Sequence, residues 1–319
     1  MYYIGVDLGG TNIAVGIVDE NKQIVIKGSV PTNAPRAGEL IVKDMADLSA
    51  RLLKEADISL SEVAYVGIVS PGTVNPQKGV IEYANNLGFH NFPIEDVFKK
   101  HLPIKTVLVE NDANAAALGE ALAGAAKGSK SCIMVTLGTG VGGGIIIDGK
   151  VYSGFNHAAG EIGHVVIEQG GRRCTCGRRG CWEAYSSATA LTQMSQEMII
   201  ECEAKGVPTL MLDEYKKHGK VTARTAFDAQ KKGDAMGTRM VETYIDYLAC
   251  GVANMINIFQ PEVLCIGGGV SGEKQFLTDP LNAIVDREQY TRANTVKTKI
   301  VVATLGNDAG IIGAAGLGY

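Results

Sequence analysis

The sequence of 319 residues lacks any apolar run long enough to span a bilayer. Its longest uncharged runs, such as residues 132–147, are too short for this and are rich in glycine. An excess of positive charge is also absent, because 30 Lys and Arg residues stand against 34 Asp and Glu residues, giving a formal net charge of -4. These features argue against a bulk nucleic-acid binder and against a polybasic protein of the membrane surface.

A secretory or transit segment is not visible, because residues 1–7 already resemble the start of a strand. The cysteines do not form the pattern of a disulfide framework. Their number is seven, which is odd, and three of them lie within residues 174–181. This usage predicts a cytoplasmic protein in a reducing compartment, with a metal site in the cysteine-rich segment.

Two common phosphate-binding fingerprints are missing as well. The chain contains no G-x-x-x-x-G-K-[ST] motif and no G-x-G-x-x-G between an early strand and a helix. Residues 138–143 fit the second spacing, but the apolar residues 144–147 that follow predict a strand rather than a helix. The sequence therefore does not favour a dinucleotide-binding fold.

What the chain does contain is a sizeable apolar fraction and much glycine. The hydrophobic set makes up 46% and charged residues 20%, which is typical of a globular chain with room for two domains. The 40 glycines show no collagen period and form no Gly/Ser linker. We therefore expect them at tight turns and where the backbone approaches a ligand.

A repeat organises the predicted α/β elements. Residues 4–11 (IGVDLGGT) recur as residues 133–140 (IMVTLGTG), and the register continues without a gap to Asp19 and Asp148. Each copy reads as strand, glycine turn and strand, so the repeat predicts two similarly built α/β domains. A chance likeness of two hairpins is the alternative. The predicted strands are 3–8, 12–18, 22–30, 63–69, 104–109, a cluster in 131–152, 263–266 and 298–303, and the predicted helices are 38–57, 113–126, 187–205, 222–259 and 308–317.

The two glycine turns are candidate phosphate sites. Backbone N–H groups at such turns can point at one anion, and absent side chains let it approach. Asp7, at the end of the first strand, could hold hydrated Mg²⁺ beside the phosphates. An ordinary tight hairpin is the alternative for each turn. Residues 267–269 (GGG) follow an apolar strand and could lie against an adenosine, and the alternative there is an ordinary strand–helix loop. The expected nucleotide contacts are Asp7, Gly9, Gly10, Thr11, Asn12, Gly138, Thr139, Gly140, Gly267, Gly268 and Gly269.

The cysteine-rich segment is a candidate structural zinc site. His164, Cys174, Cys176 and Cys181 have the spacing H-x9-C-x-C-x4-C, and three thiolates with one imidazole fill a tetrahedral shell. The alternative is three buried or free thiols with an unrelated histidine. The remaining four cysteines lie in apolar segments and are interpreted as core residues.

Asp112 is the candidate catalytic base. It follows an apolar strand and opens a helix, where it could accept a proton from a hydroxyl that attacks a phosphoryl group. From position alone it could equally be an N-cap. Polar side chains that could hold the hydroxyls of a sugar are Asn86, Asn111, Glu161, His164 and Glu183. A solvated surface position is the alternative for Glu161 and Glu183.

These residues together resemble the ROK family of repressors and sugar kinases, within the actin-like ATPase superfamily, and are most similar to its bacterial ATP-dependent glucokinases. The matching stretches run from the N-terminus to the end of the chain. They are residues 7–11 (DLGGT), 110–115 (ENDANA), 137–144 (LGTGVGGG), 160–164 (GEIGH), 174–183 (CTCGRRGCWE), 267–269 (GGG) and 306–310 (GNDAG).

The resemblance implies an α/β fold of two actin-like ATPase (ribonuclease H-like) domains with a cleft between them. We expect a small domain of residues 1–112 with a C-terminal helix at 305–319, and a large domain of residues 113–304 that carries the zinc loop, residues 157–183.

The resemblance implies transfer of the γ-phosphoryl group of ATP, bound with Mg²⁺, to the 6-hydroxyl of glucose, as in glycolysis. It also implies a base at Asp112, structural Zn²⁺ at His164, Cys174, Cys176 and Cys181, and a homodimer or homotetramer. The implied sugar contacts are Gly72, Asn86, Asn111, Asp112, Glu161, His164 and Glu183.

Several alternatives stay open at this stage. The acceptor could be N-acetylmannosamine or another hexose, and the donor could be polyphosphate. A non-catalytic sugar sensor on the same fold is the alternative from another functional class. The family's repressors carry a helix-turn-helix domain before the first motif, and six residues precede Asp7 here, so we do not expect a repressor. His157 stands where glycine is common in the family, which leaves the sugar contacts of that loop open.

Overall fold

The computed structural model describes all residues, 1–319, and contains two five-stranded sheets and one three-stranded sheet. In chain order the strands are β1 Tyr2–Leu8, β2 Asn12–Asp19, β3 Ile24–Pro31, β4 Val63–Ser70, β5 Thr73–Asn75, β6 Val80–Ala84, β7 Phe89–Phe92, β8 Val107–Asn111, β9 Cys132–Leu137, β10 Val141–Ile147, β11 Lys150–Val151, β12 Val263–Gly267 and β13 Lys299–Val302.

Ten α-helices accompany the sheets, and none of them is both long and apolar enough to cross a membrane. The helices are α1 Gly38–Glu55, α2 Ile94–His101, α3 Asp112–Ala123, α4 Glu183–Ser186, α5 Ala188–Lys205, α6 Leu210–His218, α7 Thr225–Lys231, α8 Ala235–Phe259, α9 Gln275–Glu288 and α10 Ala309–Ala315.

The two large sheets have the same strand order, which confirms the repeat seen in the sequence. The first sheet has the order β3-β2-β1-β4-β8 and the second has the order β11-β10-β9-β12-β13. In the first sheet β1 pairs antiparallel with β2 and parallel with β4, and β4 pairs parallel with β8. The third strand of the second copy, β11, has two residues, whereas its counterpart in the first copy, β3, has eight.

The chain divides into two compact units, each built from several segments. The first unit contains Met1–Met134, Gly144–Gly160 and Ala303–Tyr319, and the second contains Val135–Gly143 and Glu161–Val302. Residues 113–134 and 144–160 thus cluster with the N-terminal segment and not with residues 161–302. Helix α3 packs on α10, and a Cβ atom at Gly144 would lie 2.4 Å from the carbonyl oxygen of Ala113, which ties these segments to the first unit. The domain boundaries near residues 112 and 305 stay a prediction.

The first unit has a mixed sheet, with β1, β4 and β8 parallel, that is covered on both faces. Helices α1 and α2 pack on one face, where Ile4, Val6 and Val66 join a continuous apolar cluster. Helix α10 covers the other face so closely that side chains are excluded. A Cβ atom at Gly5 would lie 2.0 Å from the carbonyl oxygen of Ile311, and a Cβ atom at Gly67 would lie 1.8 Å from the carbonyl oxygen of Ala314.

The second unit is built around α8, which packs on α7, α9 and α4. Trp182 is fully buried and lies against Gly251, where a Cβ atom would be 2.0 Å from the indole Cε2 atom. The Tyr244 hydroxyl donates a hydrogen bond of 2.8 Å to the carbonyl oxygen of Ser186. These contacts anchor the chain immediately beside Cys181 and Glu183.

Several predicted elements differ from the structure. The single helix expected over 222–259 is two helices, α7 and α8, because the chain turns at Gly233, whose φ is +83°, and Asp234 caps α8. Helices α2, α4, α6 and α9 and the sheet of β5–β7 were missed. These helices and strands are short, so few residues carry their periodic patterns, or, in α9, contain a proline, Pro280.

The packing of α10 on α3 gives a prediction about stability. We expect Gly313→Ala to lower the free energy of unfolding by about 1–3 kcal/mol, because the new Cβ would lie 1.8 Å from the Ala115 carbonyl oxygen. Gly272→Ala is the matched control, since no atom lies within 4 Å of its Cβ position and the change should stay within about 0.5 kcal/mol. Denaturant unfolding measures both, and equal stability of the two variants would contradict this account of the packing.

Candidate functional site

The expected site residues divide between the two units, and each group is described by itself. The first unit holds Asp7, Gly9, Gly10, Thr11, Asn12, Gly72, Asn86, Asn111 and Asp112. The second unit holds Gly138, Thr139, Gly140, Glu161, His164, Cys174, Cys176, Cys181, Glu183, Gly267, Gly268 and Gly269.

Asp112 is the first residue of α3, and Asn111, not Asp112, is its N-cap. The Asn111 side-chain oxygen accepts hydrogen bonds from the backbone N–H groups of Ala113, at 2.9 Å, and Asn114, at 3.2 Å. The alternative that Asp112 serves as the N-cap is therefore wrong. An amide fulfils the capping role, so the Asp112 carboxylate is not required to begin the helix.

Asp7 and Asp112 interact electrostatically within the first unit. Burial and, to a smaller extent, the negative charge of Asp112 together raise the pKa of Asp7 to about 6. Burial also raises the pKa of Asp112, although hydrogen bonds such as the one from the Ala113 N–H, at 2.8 Å, lower it in part. A carboxylate whose pKa is raised is a stronger base than one in water, which suits proton abstraction near neutral pH.

Gly72 and Asn111 fix the backbone beside Asp112. The Asn111 side-chain amide donates a hydrogen bond of 3.0 Å to the Gly72 carbonyl oxygen. Gly72 has a φ of +93°, and a Cβ atom there would lie 2.1 Å from the Tyr83 carbonyl oxygen. Glycine is thus required at this position for both conformation and space.

The first glycine turn is closed by backbone hydrogen bonds and supported by Thr32. The Gly9 N–H donates to the Asn12 carbonyl oxygen at 2.9 Å, and the buried Thr32 hydroxyl donates to the Gly9 carbonyl oxygen at 2.7 Å. A Cβ atom at Gly10 would lie 3.5 Å from the Cβ atom of Asn86, so the exposed Asn86 stands beside the turn. Gly10 does not have a positive φ, so its small size, and not its conformation, leaves the turn open.

A cavity of about 680 Å³ in the first unit opens at this turn. Its size is within the usual range for small-molecule sites. The residues that line it are Asp7, Gly9, Gly10, Thr11, Asn12, Ala14, Lys27, Gly28, Ser29, Asn307, Asp308 and Ile311.

The second glycine turn has a similar closure and two supporting contacts in its own unit. The Gly138 N–H donates to the Gly140 carbonyl oxygen at 3.0 Å, and the Thr189 hydroxyl donates to the Thr139 carbonyl oxygen at 2.8 Å. Gly268, with a φ of +80°, packs on the strand before this turn, since a Cβ atom there would lie 2.5 Å from the Leu137 carbonyl oxygen. The structure therefore brings the loop of residues 267–269 next to the second turn.

Glu183 joins the cysteine-rich segment to the second glycine turn. Its Oε2 accepts a hydrogen bond of 3.1 Å from the Val141 N–H, and its Oε1 accepts one of 3.3 Å from the Thr175 hydroxyl. The Cys174 thiol lies 3.5 Å from the same Oε1. Glu183 is therefore held in place by neighbours in its own unit and is not a freely solvated surface residue.

The four expected metal ligands lie together. Their ligand atoms are all within 4.8 Å of one another, and the Sγ atoms of Cys176 and Cys181 are 3.6 Å apart. The Cys174 Sγ atom is also 3.6 Å from His164 Nδ1. A tetrahedral ion with metal–sulfur bonds of about 2.3 Å separates its sulfur ligands by about 3.8 Å. The donor set and these spacings fit such an ion.

The two nitrogens of His164 face different partners. Nδ1 points to Cys174, whereas Nε2 lies 3.9 Å from the Glu161 carboxylate. Glu161 itself is exposed. An ion at the cysteines would bind Nδ1 and leave Nε2 as an N–H donor on the side of Glu161.

Residues that support the first turn or line its cavity were missed by the sequence reasoning. Thr32 supports the first turn, and Lys27 forms an ion pair with Asp308 at the cavity wall. Thr32 carries no motif signal. Lys27 and Ser29 alternate along β3, which is the one sequence signal that places them on a common face.

The comparisons with known proteins extend over nearly the whole chain. The family model described as "ROK family" matches residues 3–318. A protein named glucokinase from Halalkalibacterium halodurans is 39% identical, over 99% of this chain and 94% of its own length. A protein named glucokinase from Thermotoga maritima is 38% identical, over 98% of this chain and 96% of its own length.

A solved structure has the same fold. It is that of a ROK family glucokinase from Streptomyces griseus in complex with glucose and AMPPNP. The two chains are 32% identical, the TM-score is 0.77, and the similarity covers 99% of each chain. The duplicated sheet topology is that of the two-domain actin-like ATPase fold.

The electrostatic link between the two carboxylates can be tested by titration. We expect Asp112→Asn to lower the pKa of Asp7 from about 6, because a neighbouring negative charge is removed. Burial should still keep this pKa above 3.8, the ordinary value for an aspartate. Carbon-13 NMR of the Asp7 carboxyl group, in metal-free buffer, measures it. Asp96→Asn, at an exposed position on α2, is the control. An unchanged pKa in Asp112→Asn would show that the two groups do not interact.

Proposed function

The chain belongs to the ROK family, and from this we propose that it is a glucokinase, which transfers the γ-phosphoryl group of ATP to the 6-hydroxyl group of glucose. The observation that carries the proposal is the position of Asp112 directly after the Asn111 cap, with a pKa raised by burial. The near full-length similarity to proteins named glucokinase supports the choice of sugar.

In the proposed reaction Asp112 is the general base. Its carboxylate accepts the proton of the 6-hydroxyl group as that oxygen forms a bond to the γ-phosphorus of ATP. The bond between this phosphorus and the β,γ-bridging oxygen breaks, and ADP leaves with the electron pair. The protein's part is mainly to orient the hydroxyl and to place one carboxylate beside it, because phosphoryl transfer needs little covalent chemistry from an enzyme.

Several side chains have the chemistry for the proposed binding of glucose. The amide of Asn111, held by the Gly72 carbonyl, and the exposed Asn86 are suited to hydroxyl groups. In the second unit, Glu161 and His164 Nε2 offer an acceptor and a donor, and Glu183 offers carboxylate oxygens that are already oriented. The proposed sugar contacts are Gly72, Asn86, Asn111, Asp112, Glu161, His164 and Glu183.

The glycine turns are the proposed sites of the nucleotide phosphates. Open backbone at Gly10 and Gly138 supports this, because a Cβ atom meets nothing closer than 3.5 Å at Gly10 and nothing within 4 Å at Gly138. Magnesium bound with ATP would supply positive charge against the phosphate oxygens, and Asp7 is the residue that would hold it. We propose that the loop of Gly267, Gly268 and Gly269 contacts the adenosine.

The base assignment predicts a specific kinetic result. We expect Asp112→Asn to lower kcat by at least about 10²-fold, because the amide cannot accept the proton, while glucose still binds. A coupled assay for ADP and calorimetry for glucose measure the two effects. The control is Asp96→Asn, which should retain wild-type kcat. A non-catalytic sugar sensor would bind glucose without turnover in the wild type, and near wild-type kcat in Asp112→Asn would exclude this base.

We also propose that the cluster of His164, Cys174, Cys176 and Cys181 binds one structural zinc ion. The spacings given above support the assignment, and four protein ligands leave no open position for catalysis. Zinc would fix a segment that has little regular structure, where Gly180, with a φ of +82°, passes too close to the Glu168 carbonyl for any side chain. Its ligand His164 and its neighbour Glu183 would then be fixed as well.

Metal analysis tests the zinc proposal independently of activity. We expect about one zinc per chain in the wild type, loss of it in Cys176→Ala, and a lower Tm of that variant. Cys250→Ala, which removes a thiol from α8, should keep its zinc. Wild-type protein with reduced thiols and no zinc would contradict the assignment.

We further propose, from the cysteine usage and the resemblance, a cytoplasmic enzyme of carbohydrate metabolism and, from the resemblance alone, a homodimer or a homotetramer. The seven free cysteines support a reducing compartment.

A further inference from the structure

The cavity at the first glycine turn contains one positively charged side chain. Among its lining residues Asp7 and Asp308 carry carboxylates, and Lys27 is the one cation. A nucleoside triphosphate brings several negative charges, and the turn itself offers neutral donors. Without Lys27 the lining side chains would present two carboxylates and no positive charge of the protein to this anion.

Lys27 shares a sheet face with Asp7. In the register of the sheet Asp7 pairs with Ala14, and Ala14 pairs with Ser29. Lys27 is two residues from Ser29 on the edge strand β3, so all four side chains lie on the same face. The long side chain of Lys27 extends along this face to Asp308, at the start of α10.

The ion pair leaves part of the ammonium group available. The Nζ atom of Lys27 donates hydrogen bonds to both oxygens of Asp308, at 2.6 and 2.8 Å. A lysine ammonium group has three donors, so one N–H remains after these two bonds. Both partners are partly exposed to solvent, with 53% of Lys27 and 33% of Asp308 accessible, and exposed ion pairs of this kind stabilise a fold little.

We propose that Lys27 binds a non-bridging oxygen of the β- or γ-phosphate of the nucleotide, and that Asp308 is a positioning residue that holds its ammonium group at the cavity wall. The proposal rests on the proposed function, because it assumes a nucleotide at the first glycine turn. The α-phosphate and the sugar substrate are not contacted by Lys27.

Binding of two nucleotides of different length tests the proposal. We expect Lys27→Met to weaken MgADP binding by at least about tenfold in titration calorimetry, because a charge-assisted hydrogen bond is lost. AMP, which lacks the β-phosphate, should bind with less than about twofold change, since it offers nothing to the lost contact. In the coupled assay the KM for ATP should rise while the KM for glucose stays the same.

Three further variants separate phosphate binding from a structural role. Lys27→Arg should restore ADP affinity to within about threefold, because the cation is kept. Asp308→Asn should weaken ADP binding by less than Lys27→Met, since the ammonium group loses its guide but stays in the chain. Lys43→Met breaks a comparable exposed pair with Asp47 on α1, outside the cavity, and should leave ADP binding unchanged.

The outcomes distinguish this proposal from the proposed function. Equal weakening of AMP and ADP, or ADP binding in Lys27→Met that equals that in Lys43→Met, would overturn the role of Lys27. Lys27-dependent ADP binding in a wild-type protein that phosphorylates no hexose would support Lys27 and contradict the kinase. A wild-type protein that binds no ADP would overturn both.

Discussion

The close approach of α10 to the first sheet is the constraint on which the site depends. Glycine at positions 5 and 67 lets the helix backbone contact the strands directly. The same helix meets Asp7, because a Cβ atom at Gly310 would lie 2.3 Å from the Asp7 carboxylate. The buried environment of Asp7 and the position of Asp308 both follow from this packing. A change that moved α10 outward would therefore alter stability and electrostatics together.

Burial of Asp7, near the end of β1, and of Asp112, directly after β8, has an energetic cost and a chemical use. The raised pKa values of Asp7 and Asp112 show that burial disfavours their charged forms. A side-chain hydrogen bond from Asn111 lowers the pKa of Asp112 in part, and Asn111 rather than Asp112 caps α3, so Asp112 is free to act as a base. Lys27 supplies the charge that an incoming phosphate needs. In the second unit, hydrogen bonds of Glu183 connect the second glycine turn to the cysteine cluster.

The sequence predicted the parts of the molecule that depend on local pattern. The strand–turn–strand repeat and the ligand spacing of His164 and the cysteines are short-range signals, and the structure contains both. The sequence left Asp112 open as a base or an N-cap, and the cap is its neighbour Asn111; both residue types cap helices and one position separates them, so local pattern does not distinguish them. Lys27 and Asp308 lie far apart in the chain, so their pairing depends on how α10 packs on the sheet. The same holds for Gly67 and Gly313, whose need for glycine is a tertiary contact.

A panel of kcat/KM values, measured for the wild-type protein with several hexoses and donors, tests the central claim most directly. The panel contains glucose, N-acetylmannosamine and other hexoses, each with ATP and with polyphosphate. This account predicts that glucose with ATP gives the highest kcat/KM and that glucose 6-phosphate is the product. A higher value for N-acetylmannosamine, or for polyphosphate as donor, would contradict the proposed substrates. Absence of turnover with every pair would contradict the kinase itself.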